Sequence, residues 1–192
     1  MKVLICGIGR SGSTYVYNIC RSIFDIKNEG NYDSYLYDYD VGIQEQKNKD
    51  VIIKSHPYLD TLKDWADIII TFKREYESCM KSFKRFKPRM EFDNILYLQN
   101  ECYFGWREHS DLEISYEDDV INENKCVLVD KIKNILNCNY IDSEYILENY
   151  DKVILHGSLF RSNHIDEMHN TILTSKEYGM MSRYPKLKKY LK

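Results

Sequence analysis

A chain of 192 residues, 43% hydrophobic and 30% charged, has the length and composition of one soluble globular domain with a real core. Its formal net charge of −3 excludes a global basic field for nucleic acid. No apolar run approaches membrane-spanning length and no signal-peptide pattern opens the chain, so a cytoplasmic protein without a membrane span is expected.

Val3-Leu4-Ile5-Cys6 is a continuous apolar run and reads as a buried strand; so early a strand is expected to leave no room for a targeting leader. Gly7-Ile8-Gly9-Arg10-Ser11-Gly12-Ser13-Thr14 follows, then Val16, Ile19, Cys20, Ile23 and Phe24 at helical spacing. Strand, glycine-rich turn and amphipathic helix together make an anion site, because the helix N-terminus presents unpaired N–H groups and the positive end of the peptide dipole. The spacing nearly matches the phosphate loop G-x-x-x-x-G-K-[ST], with Gly7, Gly12 and Thr14 in place but Ser13 where the lysine belongs. The basic residue is Arg10, inside the loop. The loop therefore suits an anion rather than ordinary triphosphate chemistry; the alternative is a glycine turn with no ligand.

Residues 28–50 are polar and acidic, and Tyr35, Tyr37 and Tyr39 alternate as the rings of a half-exposed edge strand would. Val51-Ile52-Ile53 is the next buried strand, ending at Lys54-Ser55-His56-Pro57. A short helix over 58–65 leads to the strand Ile68-Ile69-Ile70-Thr71-Phe72, which ends at Lys73-Arg74. A helix from about 75 to 86 buries Tyr76, Cys79, Phe83 and Phe86 and stops before Pro88. A second, from about 91 to 107, carries Phe92, Ile95, Leu96, Cys102, Tyr103 and Trp106. Leu112-Glu113-Ile114-Ser115-Tyr116 is a strand, and Leu128, Ile132, Ile135 and Leu136 mark a helix, followed by another over about 142–154. From His156 the pattern weakens into a basic tail, Arg183 to Lys192.

Six cysteines, at 6, 20, 79, 102, 126 and 138, form no C-x-x-C pair and no cysteine–histidine ligand spacing, so a reduced setting without a metal site is expected. Strands alternating with helices predict a three-layer α/β/α domain over 1–192 with a mostly parallel central sheet. Ligands bind such sheets beyond the C-terminal strand ends, which gathers the loop at 7–14, Lys54 to His56, Arg74 and Tyr116. Arg74, Ser78 and Ser82 are four residues apart and would form one helical ridge, in a stretch from Lys73 to Arg89 with seven Lys/Arg and two acidic residues. Arginine with serine hydroxyls suits a second phosphate.

Four of these segments resemble the sulfotransferases that use 3′-phosphoadenosine 5′-phosphosulfate (PAPS), built on a variant of the phosphate-loop kinase fold. Arg10-Ser11-Gly12-Ser13-Thr14 is similar to the family's 5′-phosphosulfate loop, in the arginine form frequent among carbohydrate sulfotransferases. Lys54-Ser55-His56-Pro57 is similar to its lysine-x-histidine segment. Arg74 and Ser82 match the spacing of its 3′-phosphate pair, and Ser115-Tyr116-Glu117-Asp118 the segment bordering its adenine pocket. The family's late Arg-Lys-Gly loop has no clear counterpart here, and the resemblance covers roughly the first 120 residues.

The resemblance implies sulfuryl transfer to an acceptor hydroxyl of a sugar or other small molecule, leaving 3′-phosphoadenosine 5′-phosphate (PAP). It implies that Gly9 to Thr14 hold the 5′-phosphosulfate, that Arg10 and Lys54 offset charge on the bridging and sulfuryl oxygens, and that no metal is required. His56 is the expected general base, an imidazole of ordinary pKa suiting that task near neutrality. The rival readings are a nucleotide kinase or triphosphatase with a degenerate phosphate loop, and a non-catalytic nucleotide-binding protein. The kinase would need a magnesium-binding Asp, which Cys126-Val127-Leu128-Val129-Asp130 offers only superficially, since helical spacing puts Asp130 on a helix surface.

Overall fold

In strand β1 (Lys2–Gly7) the run Val3 to Cys6 is buried on both faces, as a parallel-sheet strand covered above and below must be. The computed structural model describes residues 1–36, 49–56, 58–86, 100–101, 103–121 and 124–155. Val3 and Ile5 join the core formed with helices α1 (Ser13–Lys27), α5 (Lys125–Ile135) and α6 (Ser143–Leu155). Leu4 and Cys6, one residue out of phase, join Leu62 of α2 (Asp60–Trp65) and Trp106 of α4 (residues 103–107) on the opposite face. The period of two therefore separates two cores with the sheet between them, a three-layer α/β/α arrangement.

The other strands are β2 (Tyr32–Leu36), β3 (Asp50–Ser55), β4 (Ile68–Lys73) and β5 (Leu112–Ser115). All pairings among the five are parallel, in the order β2-β3-β1-β4-β5. β1 is thus central, and the chain leaves it on one side for β3 and on the other for β4. The register brings their C-terminal ends level: Cys6 opposes Ser55 and Thr71, Gly7 opposes Phe72, and Lys73 opposes Ser115. The loops after β1, β3, β4 and β5 consequently share one rim.

Helix α1 buries the expected Val16, Ile19, Cys20, Ile23 and Phe24 and ends where Glu29 and Gly30 turn left-handed, at φ 50° and 79°. α3 (Tyr76–Phe86) buries Cys79 against Ile8 and Tyr103; the side chains of Phe83 and Phe86 lie outside the described residues. β2 is an edge strand, as expected, but it runs from Tyr32 to Leu36, and Tyr37 and Tyr39 lie outside the described residues. Of the helix expected over 91–107, residues 91–99 and Cys102 also lie outside them, while Tyr103 and Trp106 are buried. So does everything from His156 onward. Asp130 lies on α5 with its side chain half exposed, bound to Lys133 and to Ser143, so it is a helix-surface residue and not a strand-end metal ligand. One element was not anticipated: the acidic stretch after β5 forms a π-helical turn, Tyr116–Ile121. Asp119 stabilises it by accepting from the Ser115 N–H at 2.6 Å and pairing with Lys131 at 2.6 Å. Among the described residues no helix is long and apolar enough to cross a membrane, and no group of three or more His, Cys, Asp or Glu could hold a metal.

Candidate functional site

The loop after β1 is shaped by close packing. A Cβ on Gly7 would lie 2.5 Å from the Phe72 carbonyl oxygen, so only glycine lets β1 end against β4 here. Ser11 N–H closes a turn on the Ile8 carbonyl at 3.1 Å. Arg10 and Gly12 are both left-handed, at φ 67° and 99°. For Gly12 the conformation is free; for Arg10 it carries a steric cost of about 1–2 kcal/mol that something must hold in place. Gly12 is the N-cap of α1, with no side-chain cap and no acidic residue in the first turn. The N–H groups of Gly12, Ser13 and Thr14 precede the first intrahelical bond, at the positive end of the helix. The Ser11 N–H, in contrast, is spent inside the turn, so within the expected stretch Gly9 to Thr14 it is not a donor to a ligand. The Ser11 side chain is fully buried, and its hydroxyl has no hydrogen-bond partner among the described residues.

Around this loop the structure gathers residues from three other segments. Arg10 Nε donates to Ser82 Oγ at 3.2 Å. Arg74 Nη1 donates to the carbonyl of Arg10 at 2.9 Å. The Arg74 guanidinium lies over the Tyr116 ring, 4.0 Å from its centroid, with Glu117 Oε1 4.0 Å from Nε. Tyr116 in turn packs on Gly12: a Cβ there would meet its Cδ2 at 2.9 Å. The expected ridge of Arg74, Ser78 and Ser82 is therefore corrected. Arg74 precedes the first residue of α3, and Ser78 turns away to donate to Glu75 at 3.0 Å. Arg74 and Ser82 meet instead through Arg10, each holding a different part of it.

At the end of β3, Lys54, Ser55 and His56 are all buried. The His56 Nδ1–H donates to the Gly7 carbonyl, which fixes the tautomer and makes Nε2 the accepting nitrogen. Burial, and secondarily the nearby Lys54 ammonium, push the His56 pKa down to about 3. The expectation of an imidazole titrating near neutrality is thus corrected: His56 stays neutral through the whole physiological range. Its ring and the anion loop are joined through one residue, Gly7.

A second network supports the rim from below. Glu113 of β5 accepts from Tyr103 at 2.6 Å and pairs with Lys73 at 2.9 Å and Arg107 at 3.0 Å. Desolvation opposes its ionisation, but these partners outweigh it and hold the carboxyl below the usual range. Glu117 accepts from the Glu75 N–H at 3.3 Å, so the π-helical turn is also tied to the start of α3. The acidic run after β5 was the only sequence signal for these contacts.

No family model and no curated protein matches the chain. Among solved structures, a crystal structure of retinol dehydratase in complex with androsterone and the inactive cofactor PAP aligns with it at a TM-score of 0.53 and 14% identity. The match covers 85% of this chain and 66% of that one, so the chain spans just under two thirds of its neighbour's length. At this identity the likeness is one of fold: both are three-layer α/β/α domains around a parallel sheet.

Proposed function

We propose that the chain is a PAPS-dependent sulfotransferase, acting on a hydroxyl of a sugar or other small molecule. The observation that carries this reading is the two-part anion site on one rim: an uncapped helix N-terminus after β1, and Arg10, Arg74 and Ser82 gathered beside it. A nucleotide phosphorylated at both 5′ and 3′ positions fits two such parts; a nucleoside triphosphate fits one. The chemistry of the residues suits that ligand, since the buried Ser11 hydroxyl has no hydrogen-bond partner among the described residues and can donate to an anion. The neighbour of like fold was solved with PAP, which supports the same choice.

On this reading Gly9, Arg10, Ser11, Gly12, Ser13 and Thr14 hold the 5′ end, Arg74 and Ser82 the 3′-phosphate, and Tyr116 offers a ring beside Arg74 for the base. PAPS, when bound, supplies the sulfuryl group. Arg10 and Lys54 offset negative charge as the bond to the leaving oxygen lengthens. His56 accepts the acceptor's proton at Nε2 while its Nδ1–H stays on Gly7. Its low pKa in the resting protein keeps it in the basic form, and charge arriving with the donor raises its proton affinity when it is needed.

The test is thermal unfolding with added nucleotides. At a hundredfold excess over its dissociation constant PAP contributes about 2.7 kcal/mol, a melting shift of roughly 5–10 °C for a domain of this size. It should do so without magnesium. A larger shift from ATP with magnesium would favour the kinase; no shift from either would leave the loop a structural turn.

A further inference from the structure

On the reading that the loop after β1 holds a 5′-phosphate, we infer that Arg74 is a positioning residue of that loop, acting on the 5′ group through the Arg10 backbone rather than only on a 3′-phosphate. Arg10 is a non-glycine residue at φ 67°, a conformation that costs an L-residue energy unless a contact holds it. A 2.9 Å hydrogen bond from Arg74 Nη1 to the Arg10 carbonyl is such a contact. Arg74 is itself well anchored: its guanidinium carbon lies over the Tyr116 ring, 4.0 Å from the centroid, and Glu117 stands 4.0 Å from its Nε. Tyr116 abuts Gly12, the other left-handed residue of the loop. The Arg10 side chain meanwhile reaches Ser82. Arg74 therefore latches the loop from one side, and Ser82 steadies its arginine from the other. A residue that looks dedicated to the 3′ position in sequence becomes part of the 5′ site, and the two anion sites share one set of supports.

The test uses 5′-AMP, which has no 3′-phosphate, in calorimetry with four proteins: the unaltered chain, Arg74→Ala, Arg10→Gly and the double variant. Arg74→Ala should weaken 5′-AMP about tenfold, the loss expected from one charge-assisted hydrogen bond. In the Arg10→Gly background the same substitution should cost less than about twofold, because glycine keeps the left-handed turn without a latch. An equal loss in both backgrounds, or undiminished 5′-AMP binding by Arg74→Ala, overturns the inference. If the unaltered chain binds neither 5′-AMP nor PAP, the proposed function fails by itself, and the latch is decided without ligand. Amide hydrogen exchange at Ser11, bonded to Ile8, should then quicken in Arg74→Ala and slow again in the double variant; unchanged exchange overturns it.

Discussion

The His56 imidazole donates its Nδ1–H to the main-chain carbonyl of Gly7, so the end of β3 is clasped to the end of β1, where the anion loop begins. The same bond orients the ring and settles which nitrogen can accept a proton. A neutral histidine with only one acceptor nitrogen is a base of a single direction. This makes its chemical role separable from its structural one.

The first prediction concerns turnover. Replacing His56 by Ala should lower the sulfuryl-transfer rate by about 10²–10⁴, while PAP affinity stays within a few fold. Because the free protein holds His56 neutral down to about pH 3, kcat/KM should show no acid-side break near pH 6.5. A break there that vanishes in His56→Ala would mean the ring titrates normally. Near-normal turnover of the variant would remove it from the mechanism.

The second concerns acid stability. The His56 pKa is about 3 folded and about 6.5 unfolded. Between those values the unfolded chain binds the extra proton, so stability is complete above pH 6.5, falls as the pH drops, and levels off below 3. The full span is worth roughly 4–5 kcal/mol. Asp50 and Glu113, both held low by hydrogen-bonded and cationic partners in spite of desolvation, lose their contributions as the pH falls through and below the ordinary carboxylate values. Urea midpoints measured from pH 7 to 5 therefore stay above the range of these two carboxylates, and because the chain has five histidines the slope is assigned by substitution. His56→Gln should flatten that slope, and an unchanged slope would assign it elsewhere.

The third concerns the cap of α1. Gly12→Ala places a methyl 2.9 Å from Tyr116 Cδ2 and 3.1 Å from Phe72 Cε1, at φ 99°. Both the contact and the conformation are unfavourable, and the combined cost should be about 2–4 kcal/mol. The melting temperature should fall and the PAP-induced shift should shrink. A variant that matched the parent in both would show that the loop is looser than its packing indicates.

The fourth concerns Ser82. Its hydroxyl accepts from Arg10 Nε at 3.2 Å on a half-buried surface, so Ser82→Ala should change the melting temperature little. It should weaken PAP by about tenfold, through loss of a hydrogen bond to a charged group. A large loss of stability with intact PAP binding would make Ser82 a purely structural residue.

The strands of the core were legible because Val3 to Cys6 is an unbroken apolar run and Ile68 to Phe72 is apolar but for Thr71, as strands buried on both faces are. The loop was legible because the spacing of its glycines states the turn directly. β2 was harder. Tyr32-Asp33-Ser34-Tyr35-Leu36 has no clean alternation, and its position is set by pairing with residues 50–54 of β3. The π-helical turn hides in an acidic run that reads as loop, because its supports, Lys131 and the Ser115 N–H, come from outside it. The bond from Arg74 to the Arg10 carbonyl leaves no mark in the sequence at all: the acceptor is main chain, and a spacing rule sees only side chains. The placement of Arg74, Ser82, Lys54 and His56 at one rim could be read; what each of them holds could not.

The central position of β1 has a consequence for how the chain is made. Both sheet neighbours of Val3 to Cys6 follow it at a distance, β3 from residue 50 and β4 from residue 68. Until those residues have been synthesised, Val3 to Cys6 lacks both of the strands it pairs with. Its earliest available cover is α1, which can shield only one face. A nascent chain halted before β3 would present Val3 to Cys6 as a short, uncharged, β-prone ribbon to its neighbours on the polysome. The pace of synthesis from Lys27 to Lys73 would then set how long that ribbon waits for its partners.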